Sequence, residues 1–163
     1  MKKLIYLSFV ALLLSIAYSS KAQNINIHFG ASSYLGGISQ NGISSPTFFG
    51  FPIGLAIQKS EKLAFDMEIA PFFTRQKLDM FLFQSGILYS LSPNYAIGGK
   101  LAFESTGFYG FTPSIRRNFA LAKQNFFLEM FFPTRFGTTT NSSDSEQIKW
   151  QYTALAFQLG INF

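Results

Sequence analysis

The chain has 163 residues, among them 21 Phe, 7 Tyr, one His and no Cys, and a formal charge of +5. The lack of Cys excludes a disulfide framework and any thiolate metal site. No Lys/Arg cluster offers a track for phosphates, which argues against a nucleic-acid partner.

Residues 1–22 read as an export signal. Lys2 and Lys3 form a basic start, and Leu4 to Ala17 is an almost unbroken apolar run. That run is shorter than the roughly 20 residues a spanning helix needs. Ser20-x-Ala22 then supplies a small-x-small cleavage motif before Gln23. Lys2, Lys3 and Lys21 leave with the signal, so the remainder carries 10 Lys+Arg against 8 Asp+Glu. No Cys follows, which excludes a lipid-anchored lipoprotein. Residues 23–163 have the length of one domain and contain no run that would make a transmembrane helix.

Those residues divide into stretches of alternating polarity at 25–35, 47–58, 62–74, 79–91, 95–105, 107–119, 124–136 and 148–163. An extended stretch of 12 residues is roughly 40 Å long. Tilted by about 40°, it covers an apolar band about 25 Å tall. In the second stretch Phe49, Phe51, Ile53, Leu55 and Ile57 alternate with Gly50, Pro52, Gly54 and Ala56. In the third, Leu63, Phe65, Met67 and Ile69 alternate with Ala64, Asp66, Glu68 and Ala70. In the fifth, Tyr95, Ile97, Leu101 and Phe103 alternate with Ala96, Gly98, Lys100, Ala102 and Glu104. In the seventh, Phe126, Leu128, Met130 and Phe132 alternate with Phe127, Glu129 and Phe131. One face is bulky and apolar; the other is mostly small or charged. The bulky face suits lipid. Turned inward, as in a soluble ligand-binding barrel, it would exceed what an eight-stranded interior holds.

The connections alternate as well. Lys59-Ser60-Glu61, Ser92-Pro93-Asn94 and Ala120 to Lys123 read as short turns, while 36–46 and 137–147 read as longer polar loops. Residues 75–78 and 105–107 are short where loops would also lie. Asp144 and Glu146 keep the 137–147 loop solvated, and its Asn141-Ser142-Ser143 sequon carries little meaning in a bacterial envelope. Gly36-Gly37 and Gly98-Gly99 lack the helix of a phosphate-binding loop. Pro52, Pro71, Pro113 and Pro133 fall inside stretches and predict bulges or kinks. The aromatics Trp150, Tyr152, Tyr95 and Tyr89 fall near segment ends, where interfacial belts form.

The last stretch is the clearest. Leu155, Phe157, Leu159, Ile161 and Phe163 share one face, and Ala154, Ala156, Gln158, Gly160 and Asn162 the other. Here the chain resembles the small OmpA/OmpX-like outer-membrane β-barrels, whose final strand ends on an aromatic residue. The resemblance implies an all-β fold, an eight-stranded antiparallel transmembrane β-barrel, with Leu155 to Phe163 as the signal read by the barrel-assembly machinery. It also implies residence in the outer membrane among lipid and lipopolysaccharide, and no periplasmic domain after the barrel.

By parity the interior holds His28, Asp66, Glu68, Lys100, Glu104, Arg116, Glu129 and Arg135. Four acids and three permanent cations on one face predict a lumen charge network, because an unpaired buried charge is costly. An interior of this width is filled by side chains, which favours a plug over a pore. His28 with Ser32 or Ser33 is a weak catalytic constellation of the lipid A-modifying kind; a hydrogen-bonding lumen residue is the simpler reading. With one His and no Cys, no metal site and no cofactor are expected; only a carboxylate site around Asp66, Glu68, Glu104 and Glu129 is conceivable, and the nearby cations favour ion pairing instead. The sequence therefore points to a non-enzymatic envelope protein with a structural or interaction role. A subunit of a larger envelope assembly fits this reading, and a narrow channel for ions or small solutes is the alternative.

Overall fold

The computed structural model describes residues 24–39, 42–44, 48–74, 77–140 and 146–163. The predicted export signal at 1–22, the 141–143 sequon and Asp144 lie outside them, as do the side chains of Glu146 and Trp150. Among the described residues there are eleven strands: β1 (Ile25–Ser39), β2 (Gly42–Ser44), β3 (Phe49–Gly50), β4 (Ile53–Gln58), β5 (Leu63–Thr74), β6 (Lys77–Ser92), β7 (Tyr95–Glu104), β8 (Tyr109–Leu121), β9 (Gln124–Phe131), β10 (Thr134–Thr140) and β11 (Glu146–Asn162). No helix among them is long and apolar enough to cross a membrane.

β2, β3 and β4 are successive pieces of one wall, and β9 and β10 of another, so the strands make eight antiparallel walls. The sheet closes where β1 pairs with β11, from His28 opposite Asn162 to Ser39 opposite Tyr152. A path across paired residues shows the closure and the tilt. From His28 it runs to Gly54, Glu68, Gln84, Ala102, Gly110, Arg135 and Tyr152, and returns to β1 at Ser39. The start and end differ by eleven residues along β1, the stagger that accompanies tilted strands in a closed barrel.

Side chains alternate as the period of a strand requires. In β7, Tyr95, Ile97, Leu101 and Phe103 are exposed, while Ala96, Lys100, Ala102 and Glu104 are buried. In β8, Phe111, Pro113 and Ile115 point out, and Thr112, Ser114 and Arg116 point in. The exterior is a continuous belt of Ile, Leu and Phe, including Ile27, Phe81, Ile87, Leu101, Leu128 and Leu159.

The prolines act in two ways. Pro52 separates β3 from β4, and Pro133 separates β9 from β10; Pro71 and Pro113 stay inside β5 and β8. All four keep their carbonyls in the ladder, accepting from Gly30, Phe51, Phe132 and Ala154 N–H for Pro52, Pro71, Pro113 and Pro133 respectively. The return bond is missing each time because proline has no N–H. Irregular register lies at Tyr34/Gly36 in β1, where Leu35 is skipped.

Two hairpins are taller than the sequence suggests. β1 continues to Ser39 and pairs with β2, and β10 and β11 pair out to Thr140 opposite Glu146. Composition marked these segments as loops, but beyond an apolar belt a strand need not alternate in polarity. The β-branched residues Thr138 to Thr140 favour extension. The shorter connections are tight: Ala122 and Lys123 both have positive φ, 49° and 69°, the backbone of a two-residue type I′ hairpin.

Candidate functional site in the barrel interior

The interior has three layers. Nearest the end that carries the short turns is a chamber of about 310 Å³, into which Asn26, Asn118, Asn125 and Asn162 project. Above it lies a buried cluster of charges. Above that, Tyr34, Phe72 and Phe131 close the bore. Phe72 and Phe131 meet the Tyr34 ring edge-on at 5.3 and 6.1 Å between centroids. Ala70, Met80, Leu82, Ala102, Ala154 and Ala156 fill the space around them.

The structure buries all eight predicted charged residues and sorts them into two groups. The first holds His28, Asp66, Glu68, Lys100, Arg116 and Glu129. Lys100 Nζ lies 2.8 Å from Asp66 Oδ2 and 2.7 Å from Glu68 Oε2. Arg116 donates from Nε to Glu129 Oε2 at 2.9 Å, again to that oxygen from Nη2, and from Nη2 to Asp66 Oδ2 at 3.3 Å. Its guanidinium also lies over the Phe127 ring, 4.3 Å from the centroid. His28 Nε2 is 2.9 Å from Glu68 Oε1 and 3.7 Å from Asp66 Oδ1.

Neighbouring walls make this geometry. Asp66 and Glu68 are two apart on β5 and so face the same way. The ring of His28 reaches them across β4 because Gly54 lies between; a Cβ there would sit 2.3 Å from His28 Nε2. Gly160 gives the same clearance to Phe127.

The second group is Glu104 and Arg135. Arg135 Nε donates to Glu104 Oε1 at 2.8 Å, and Nη1 to Thr112 Oγ1 at 3.1 Å. Tyr152 OH donates to the same Glu104 oxygen at 2.6 Å. Sequence reasoning placed Tyr152 in an interfacial belt. The structure turns it inward, and its parity with Ala154 and Ala156 already carried that signal. Gln158 takes the inward face that alternation predicts, and Thr112 and Tyr34, which sequence reasoning does not single out, are also buried at inward positions. Ser32 Oγ donates to Gln158 Oε1 at 3.4 Å, so the hydroxyl nearest His28 in sequence is engaged with a carboxamide. Tyr89 and Tyr95 are exposed on the exterior.

A closed antiparallel tube, bulky and apolar outside and ion-paired inside, pairs each wall on both sides and leaves no edge, as lipid requires. Neisserial surface protein A matches over 88% of this chain and 100% of its own, with a TM-score of 0.53 at 12% identity. The fold is that of the small outer-membrane β-barrels. The attachment invasion locus protein of Yersinia pestis, solved with the heparin analogue sucrose octasulfate, covers 88% of this chain and 100% of its own at 10% identity and a TM-score of 0.49. No family model matches the sequence, and no curated protein matches it.

Proposed function

We propose that residues 23–163 form a non-enzymatic outer-membrane barrel with a closed lumen, which works through its outer surface as a structural or interaction protein of the envelope. Residues 1–22 direct export, and the face of Leu155, Phe157, Leu159, Ile161 and Phe163 is the strand the assembly machinery reads. Lipid and lipopolysaccharide surround the belt, and envelope proteins are the partners for the tall β1–β2 and β10–β11 hairpins.

The observation that carries this reading is the filled bore. A solute passing through would meet the packed rings of Tyr34, Phe72 and Phe131 beyond the ion-paired groups below them. Parting these rings costs packing, and parting the pairs leaves buried charges uncompensated.

Two measurements test it. Fractionation should place the protein in the outer membrane, with unboiled and boiled samples migrating differently on SDS gels. Planar bilayers should show no stepwise current. Stepwise currents from the wild-type protein would replace the plug with a channel. A soluble protein without a gel shift would remove the lipid-facing assignment.

A further inference from the structure

We propose that His28, Asp66 and Glu68 form a buried site for one divalent transition-metal ion. The two carboxylates divide their oxygens between two partners. Asp66 Oδ2 and Glu68 Oε2 face Lys100 Nζ at 2.8 and 2.7 Å. Asp66 Oδ1 and Glu68 Oε1 turn the other way, toward His28 Nε2, at 3.7 and 2.9 Å. The three ligand atoms lie within 4.8 Å of one another. A tetrahedral ion with bonds of about 2.0–2.2 Å holds its donors roughly 3.3–3.6 Å apart. The observed separations straddle that range, so small side-chain shifts bring all three atoms onto one ion.

A second observation is independent of the clustering. Asp66 is fully buried, yet its Oδ1 has no hydrogen-bond partner. A buried carboxylate oxygen ordinarily has one. This oxygen's free lone pairs are aimed at the imidazole, where the ion would sit.

Charge and surroundings agree. Asp66, Glu68 and Glu129 are three carboxylates against two permanent cations, Lys100 and Arg116, so the cluster attracts a further cation. Gln158 Nε2 donates to Glu68 Oε1 at 3.0 Å, and Lys100 pins the far oxygens. These contacts orient the two carboxylates as outer-shell groups do in metal sites, while His28 Nδ1 has no such partner. One imidazole nitrogen with two carboxylate oxygens suits Zn²⁺ and its first-row neighbours better than Ca²⁺ or Mg²⁺. The carboxamide-lined chamber reaches Arg116, which touches Asp66, so an aqueous route ends one side chain from the site.

The test uses the full protein extracted in detergent, without a histidine tag, with Zn²⁺ alone as the probe. His28 is the chain's single histidine, so its ring nitrogens give one unambiguous NMR reporter. We expect one Zn²⁺ per chain by calorimetry and native mass spectrometry, with the His28 ring signals shifted on binding. His28→Gln and Asp66→Asn should each weaken binding about 100-fold or more, and Gln158→Leu about 10-fold. The unboiled gel band checks that each variant is folded. If a variant fails to fold, the wild-type ring signals decide. A folded barrel that takes up no Zn²⁺ overturns the proposal. Uptake that leaves the ring signals unmoved also overturns it, by placing the ion elsewhere.

Discussion

Arg116→Met should be among the most damaging single changes in this barrel. Arg116 is buried, donates twice to Glu129 and once to Asp66, and packs on Phe127. Met retains much of the side-chain length but none of the charge. Three carboxylates then face Lys100 alone among the permanent cations. Breaking a buried pair by removing one partner costs about 3–5 kcal/mol. With a urea slope of about 2 kcal/mol per molar, the unfolding midpoint falls by roughly 2 M. The double change Arg116→Met with Glu129→Leu restores the original excess of one carboxylate. It should recover about 2 kcal/mol, a coupling of the size seen for residues in one network. The assay is the folded fraction across urea, read from unboiled gel bands of protein in lipid vesicles. A single-variant loss below about 1 kcal/mol, or a double variant equal to the sum of its parts, would refute the account of the cluster as a coupled ionic unit.

Other expectations address the turn, the belt and the clearance around the histidine. Replacing Ala122-Lys123 with Asn-Gly relieves two positive-φ L-residues and should stabilise the barrel by about 1 kcal/mol in the same urea assay. Leu101→Arg puts a guanidinium on the exterior opposite Ser85, between the levels of Tyr89 and Phe81. Near mid-membrane this costs about 2–4 kcal/mol, seen as loss of folded protein in vesicles, whereas an interior Leu101 would respond differently to hydrophobic substitutions. Gly54→Ala should destabilise by driving its Cβ against the imidazole at 2.3 Å and the Met67 carbonyl at 2.6 Å, and His28→Ala in the same chain should restore the part of the loss that belongs to the ring. Without that rescue, Gly54 matters for its backbone rather than for clearance.

Much of the fold was legible because the strand period is 2 and only one face of each wall is apolar. Asp66 and Glu68, or Lys100 and Glu104, share a face by arithmetic, and Pro113 did not disturb the inward parity of Arg116. Parity says which residues face inward but not how high each stands. The interleaving of walls, set by register and stagger, decides that Lys100 meets Asp66 while Glu104 meets Arg135. Gly, Ser and Thr at 36–46 and 137–147 suggested loops, yet hairpin pairing through Ser39 and Thr140 depends on backbone hydrogen bonds that composition does not encode. Nearness to a segment end points Tyr152 to a belt, whereas its parity with Ala154 and Ala156 points it inward, and parity prevails.

The four prolines have a mechanical consequence. Each deletes one cross-link of the backbone net, and the deletions fall on the second and seventh walls, one toward each neighbour. These two walls flank the closing β1–β11 seam, and the gaps lie near the height of Tyr34, Phe72 and Phe131. There the hoop of the tube lacks four backbone bonds, and its roundness leans on what is wedged inside. The aromatic rings therefore serve as an internal strut as well as a stopper.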